Sequence, residues 1–248
     1  MMWLRLVRGE LRKLTTTKLP WAFLAVLVVM GAITAIAVIA GTDMDGSKGF
    51  IATAADQQSL MAFGWNAMMI AGLFGAIAVS REYAHATVVA MFLTAPRRAR
   101  AVLAQLTAVL LGGAVLGFTG AALTVAAVAA ALPFTHYHFL VSVAAVGQVI
   151  GASTFAGAVG AVAGAGLGAV VRNMGGAVTA AVLLLMIIPP IVVQLVRQAG
   201  TWIPLTLLRV LSGVAHDVAL PSAVVVLAAW AVIPAIAGLI TVQKRDVI

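Results

Sequence analysis

The sequence predicts an all-α integral membrane protein with six transmembrane helices, and three observations carry that prediction. Of 248 residues, 63% are hydrophobic and only 9% are charged, whereas a soluble domain is about 45–50% apolar and about 25% charged. Mean hydropathy is +1.14. The apolar residues fall in long runs, and no Asp, Glu, Lys or Arg occurs between Arg100 and Arg172. This composition excludes a soluble globular domain, and it excludes disorder, which needs low hydrophobicity and high charge. With no cysteine in the chain, disulfides, thiolate metal ligands and cysteine nucleophiles are excluded as well.

Residues 1–18 are expected to form an amphipathic helix. Leu4, Val7, Leu11 and Leu14 recur with 3-4-3 spacing while Arg5, Arg8 and Arg12 line the opposite flank, beside Glu10 and Lys13. Such a stripe lies in the membrane interface and its arginines meet lipid phosphate. Two roles remain open: a basic lead that orients the first span, or an elbow helix lying along the membrane beside a cytoplasmic partner. Lys18, Pro20 and Trp21 then turn the chain into the bilayer, with Trp21 at headgroup depth.

A helix rises about 1.5 Å per residue, so about 20 apolar residues cross a hydrocarbon core about 30 Å thick. The first span is 19–40. Ala35-Ile36-Ala37 resembles a signal cleavage site, but a signal core is only about 7–15 residues long, so the segment is expected to remain as a span. The second span is 59–80. The charge-free stretch after Arg100 suits two spans, divided at Pro133-Phe-Thr-His-Tyr-His138, the one turn-like polar cluster inside it. That gives spans 102–132 and 139–171. The fifth, 174–193, contains Pro189-Pro190, which removes two backbone donors and is expected to kink or end it. The sixth is 222–242. Trp202–Ala215 is apolar but short and carries Pro204 and Arg209, so it is expected to be a short external helix or hairpin between spans five and six rather than a seventh crossing.

Orientation follows from the basic residues of the connecting segments. With both termini cytoplasmic, 12 of the 15 lie inside: Arg5, Arg8, Arg12, Lys13, Lys18, Arg81, Arg97, Arg98, Arg100, Arg172, Lys244 and Arg245. Lys48, Arg197 and Arg209 lie outside with Asp43, Asp45, Asp56 and Asp217. The formal charge of +8 therefore reads as a topology signal and as contact with anionic membrane lipids, not as a nucleic-acid surface.

The connector from Ser80 to Arg100 is long, since about 2–8 residues suffice between helices. It carries Val88, Val89, Met91, Phe92 and Leu93, apolar side chains that are costly to leave in water. A short helix presenting them to another protein accounts for them. Pro96 stops that helix, and Arg97, Arg98 and Arg100 set the start of the third span.

The order Arg81-Glu82-Tyr83-x-His85-x-Thr87, then Phe92-Leu93-x-x-Pro96-Arg97-Arg98-x-Arg100, resembles the cytoplasmic loop of ABC-2-type transporter permeases. The opening Arg8-Gly-Glu-Leu-Arg-Lys-Leu14 is also similar to that family. The chain departs from the usual pattern at Ala86, where glycine is typical, and at Gln105, where lysine is frequent. The resemblance implies a half-transporter in a bacterial-type plasma (inner) membrane: two permease chains with two copies of a separate ABC ATPase subunit, which binds ATP and Mg. Residues near 84–93 would be the coupling helix docked in the ATPase, with Glu82, Tyr83 and His85 at its base and Thr87, Val88, Met91, Phe92 and Leu93 on it, followed by Arg97 and Arg98. Arg5, Arg8, Glu10, Arg12 and Lys13 would belong to the elbow helix. In that family the second and fifth spans border the path between the two permeases, so the resemblance implies substrate contacts at Asn66, Met69, Phe74, Met186 and Pro189.

The spans carry no ionisable residue in their middles, which argues against a proton- or sodium-coupled antiporter. Thr34, Asn66, Thr119, Thr124, Gln148 and Thr179 are mildly polar, suited to interhelical hydrogen bonds or to lining a path for an amphipathic or lipid-like substrate such as a drug or lipid. Gly160, Gly164 and Gly168 repeat at four-residue spacing, which allows close helix approach either within the chain or across a dimer seam. No ATPase motif is present: Gly41-Thr-Asp-Met-Asp-Gly46-Ser47-Lys48 has its Lys and Ser in the wrong order and acids that would repel phosphate. The same segment lacks the downstream bidentate acid of a calcium loop. His136, His138 and His216 form no metal-ligating or catalytic set in sequence. The expectation is an exporter permease with no enzyme chemistry or cofactor of its own; the alternative is a non-transporting membrane scaffold or assembly factor.

Overall fold

The computed structural model describes residues 2–41, 51–84 and 98–244. Ten α-helices, with 3-10 and π turns between some of them, make up the described chain, which contains no strand. In order they are α1 (Met2–Thr16), α2 (Leu19–Gly41), α3 (Ala54–Met61), α4 (Gly64–Ala84), α5 (Arg98–Ala131), α6 (Val143–Val171), α7 (Met174–Val182), α8 (Ile188–Leu195), α9 (Pro204–Leu211) and α10 (Leu220–Lys244). Among the described residues six stretches are long and apolar enough to cross a membrane: Leu19–Gly41, Ala54–Tyr83, Ala99–Phe134, Val143–Val171, Met174–Leu195 and Leu220–Lys244. Successive crossings put α1, the ends of α4 and α6 and the end of α10 at one end of the bundle, called here the terminal end. The segments 51–56, 132–142 and 196–219 lie at the other.

Helix α6 is the centre, packed by α4, α5 and α10, with α7 alongside. Its glycines explain why. A Cβ on Gly160 would collide with the Met68 carbonyl, one on Gly164 with the Gly72 carbonyl, and one on Gly168 would stand 2.9 Å from the Ala76 oxygen. The four-residue repeat is thus a backbone-on-backbone seam with α4, and the repeat's role is intramolecular here. A second face, at Gly157, meets Gly113 and Gly117 of α5, and a third, at Gly166, meets the backbone around Pro234 of α10. Lipid supplies no hydrophobic drive between helices, so this close approach and its dispersion contacts hold the bundle. Helix α2 is peripheral, touching α5 where Gly31 faces Leu123.

The bounds differ from the sequence reading where local chemistry intervenes. The second crossing starts at Ala54 rather than near 59, because Thr53 and Asp56 form a reciprocal capping box. It is also broken: α3 stops at Met61, Ala62 leaves the helical region (φ −67°, ψ 79°), and α4 starts afresh at Gly64. The fourth helix starts at Val143 rather than 139, with Ser142 as an extended N-cap whose hydroxyl accepts from Ala145 N–H. The proline pair does not end the fifth crossing. The helix widens into a π turn at Leu183–Ile187, in which the Ile188 N–H donates to Leu183 O, and continues to Leu195. A π turn ahead of the prolines makes room for rings that would otherwise strike the preceding turn. After it, a 3-10 turn (Arg197–Trp202) and α9 fold back onto α4, α6 and α10, with Leu207 and Leu208 fully buried.

Candidate functional site

Polar side chains gather in two places, one at each end of the bundle. At the terminal end, α1 lies against α5 and the start of α2. Its stripe is only partly used: Val7 is buried and Leu11 and Leu14 half-buried, while Leu4 stands 72% exposed. Arg5, Arg8 and Arg12 face outward, as the spacing predicts. Lys13 turns the other way. Its Nζ lies 2.6 Å from Glu10 and 3.2 Å from Glu82 at the end of α4, two carboxylates whose side chains are only 12% and 14% exposed. Leu14, Ala78, Ala108, Val109 and Gln105 complete a small cleft around them, in which Gln105 also hydrogen-bonds Glu82. Burial works to lower the Lys13 pKa, but the Glu10 hydrogen bond and the charges of Glu82 and Glu10 outweigh it and hold it above the ordinary lysine value.

Next to this cluster, Tyr83 carries the Arg172 guanidinium over its ring, 5.3 Å from the centroid. Arg172 closes α6 in the left-handed region (φ 57°), its N–H donating to Gly168 O. Its Nη2 donates to Thr241 O at 3.2 Å. The ends of α4, α6 and α10 are therefore tied at the point where the chain leaves α4. The structure joins Glu10 and Lys13 to Glu82, residues that the sequence treats as separate sets. His85, Thr87, Val88, Met91, Phe92, Leu93 and Arg97 lie outside the described residues; Arg98 opens α5.

The five residues assigned to a path are not brought to one surface. Phe74 is buried, edge-on to Phe23 with centroids 5.6 Å apart, and would touch a Cβ at Gly112 at 3.0 Å, so it packs between α2 and α5. Pro189 is buried. Asn66 and Met69 are half-buried, and Met186 is 52% exposed. Helix α4 and the fifth crossing do meet: Leu185 fills the space over Gly72, and Ala76 packs with Ala177 and Ala181. Among the described residues nothing hydrogen-bonds the Asn66 amide.

At the opposite end the sequence reading singled out Gln148 alone, as a polar residue within a span, and missed Gln57 and Gln58. Gln57, fully buried on α3, donates through Nε2 to Ile51 O (3.1 Å) and His138 O (2.8 Å) and accepts from Leu140 N–H (2.9 Å). One amide thereby pairs with an extended peptide as a neighbouring strand would, which is why residues 139–142 are not helical. Gln58 donates to Ser212 O at 2.8 Å and Gln148 to Leu211 O at 3.2 Å, fastening the end of α9. Gly213 makes the turn after it with φ 71°, a conformation that favours glycine. No three His, Asp or Glu side chains come together among the described residues.

No protein-family model matches the chain, and no curated protein sequence matches it.

Proposed function

We propose that this chain is the permease half of an ATP-driven exporter of the ABC-2 type, working as a pair of permeases with two copies of a separate ATPase and moving an amphipathic or lipid-like substrate outward. The observation that carries the proposal is the ionic junction of α1 with the end of α4. Lys13 binds Glu82 at the root of the 85–97 connector, whose sequence resembles the ATPase-docking loop of that family. A push on either segment reaches the other through this contact, and reaches α6 and α10 through Tyr83, Arg172 and Thr241. The cations support the cytoplasmic placement of the terminal end: Arg5, Arg8, Arg12, Lys13, Lys18, Arg81, Arg100, Arg172 and Lys244 gather there among the described residues, against Arg197 and Arg209 at the other. A bacterial-type plasma membrane is the setting this implies. ATP and Mg would be held by the partner, and this chain's work would be mechanical.

The test is the connector's apolar face. Phe92→Asp is expected to abolish ATPase association and partner-stimulated transport while the chain still inserts at wild-type level. Normal export by that variant overturns the docking role of the connector and favours a non-transporting scaffold.

A further inference from the structure

The fifth crossing holds backbone acceptors whose usual four- and five-residue donors are proline or already taken. The carbonyl of Leu185 looks four and five residues ahead for a donor, and both positions are prolines, Pro189 and Pro190. The carbonyl of Leu184 fares no better. Four residues on, the Ile188 N–H is committed to Leu183 O, and five on stands Pro189. Met186 keeps only Ile191, five ahead, because its usual donor is Pro190. Leu184 and Leu185 are the eleventh and twelfth residues of the 22-residue stretch Met174–Leu195, so these oxygens lie near mid-membrane.

Proline in a membrane helix is ordinarily tolerated because a neighbouring Ser or Thr, a bound water or a local π turn satisfies the freed carbonyls; the π turn here serves Leu183 O through the Ile188 N–H. Here no described side chain donates to any of the three: the hydroxyl donors of the fifth crossing and its surroundings go elsewhere, Thr179 to Gly175 O and Thr206 to Gly200 O. Open carbonyls at membrane depth are kept where they line a cavity or bind a ligand, and π turns recur at functional positions. Two more features lie close by. Beyond the π turn, α8 packs on the adjoining turns and departs from α4. On α4, Asn66 is half-buried without a hydrogen bond; it is six residues, or about 9 Å of helix rise, from the Gly72–Leu185 contact, on the side toward which the fifth crossing's carbonyls point. The exposed side chains beside the open acceptors are Met186, Ile187 and Ile188, all apolar.

We infer that the Leu184 and Leu185 carbonyls are the polar half of a mid-membrane site for an amphiphile that brings hydrogen-bond donors, of the class of primary ammonium head groups on an apolar tail. Acceptors without donors, no fixed charge in the span and a methionine–isoleucine surround select a donor-rich head over an anionic one. The inference rests on the exporter proposal only in taking the bound amphiphile as cargo.

The experiment compares dodecylammonium with dodecyltrimethylammonium, which has the same charge and tail but no N–H. Binding to the purified chain in nanodiscs is measured at neutral pH, with empty nanodiscs subtracted. The wild type is expected to prefer dodecylammonium at least tenfold. The Pro189→Ala/Pro190→Ala variant restores N–H donors to Leu185 and Met186 and regularises the helix, so it should fold; it is expected to lose that preference. Equal affinity of the wild type for the two amphiphiles overturns the inference without recourse to a variant, as does no binding of either. An unchanged preference in the double variant overturns it too. Failure of the chain to recruit an ATPase would overturn the exporter proposal and leave this preference standing, so the two failures are distinguishable.

Discussion

Gln57 has both of its N–H donors and its amide oxygen in use, meeting three backbone groups in a buried setting. Gln57→Leu keeps the volume and strands the Ile51 and His138 carbonyls and the Leu140 N–H, each at about 1–3 kcal/mol when water cannot replace the partner. Thermal unfolding in detergent should show a clearly lowered midpoint, and an unchanged midpoint would mean that those groups find water. Lys13 is the corresponding residue at the other end. Its pKa in the folded chain is raised by its carboxylates against the opposing pull of burial, so the stability it lends is fully present below the unfolded lysine value and is lost as pH rises through the folded one. A spin label at Arg8→Cys should therefore report a docked α1 from about pH 6 to about pH 9, loosening only above about pH 10.4. The native absence of cysteine makes that label unique. Lys13→Met should loosen α1 at neutral pH; because Lys13 is 49% exposed, the effect is that of a water-screened pair, about 0.2–1 kcal/mol.

Between elements, the controlling feature is how closely backbones approach. Gly164 has the Gly72 carbonyl where a Cβ would go, whereas Gly151, nearer the start of the same helix, has nothing within 4 Å. Gly164→Val should drive α4 and α6 apart and leave little monodisperse protein. Gly151→Val should leave the yield and unfolding midpoint of the chain as they are. Equal tolerance at both positions would contradict the seam. The fifth crossing shows the opposite strategy, in which regular geometry is given up at Leu183–Ile187 and the helix still reaches Leu195. The break at Ala62 and this π turn interrupt two different crossings, the π turn where the fifth meets Gly72 of α4.

Across the whole molecule, apolar run length fixes what the sequence reveals well: six crossings, the long third and fourth, and the short segment around α9 that turns back instead of crossing. Helix ends were legible only where a run was bounded by charge. The start of α6 was not, because the Gln57 amide that holds 138–140 extended is more than 80 residues away in sequence. The clamp of Gln58 is hidden for the same reason, and Gln148, though legible as a polar residue within a span, carries no sign of which backbone it will meet. At the terminal end, the residues of the ionic junction were individually conspicuous, yet their convergence was not: Lys13 and Glu82 lie 69 positions apart, and only the packing of α1 on α5 brings them together. Phe74 shows the converse, a residue conspicuous in its span whose ring turns into the interior.

The central claim is that the 85–97 connector and the Lys13–Glu82 junction receive work from an ATPase. Native purification of the chain in mild detergent, followed by mass spectrometry of what remains bound, tests it most directly. An exporter permease should retain, in equal numbers, a protein carrying a Walker-A ATPase domain, and should lose it with Phe92→Asp. Recovery of the wild-type chain without any such subunit, under conditions in which established transporter complexes survive, would contradict the claim.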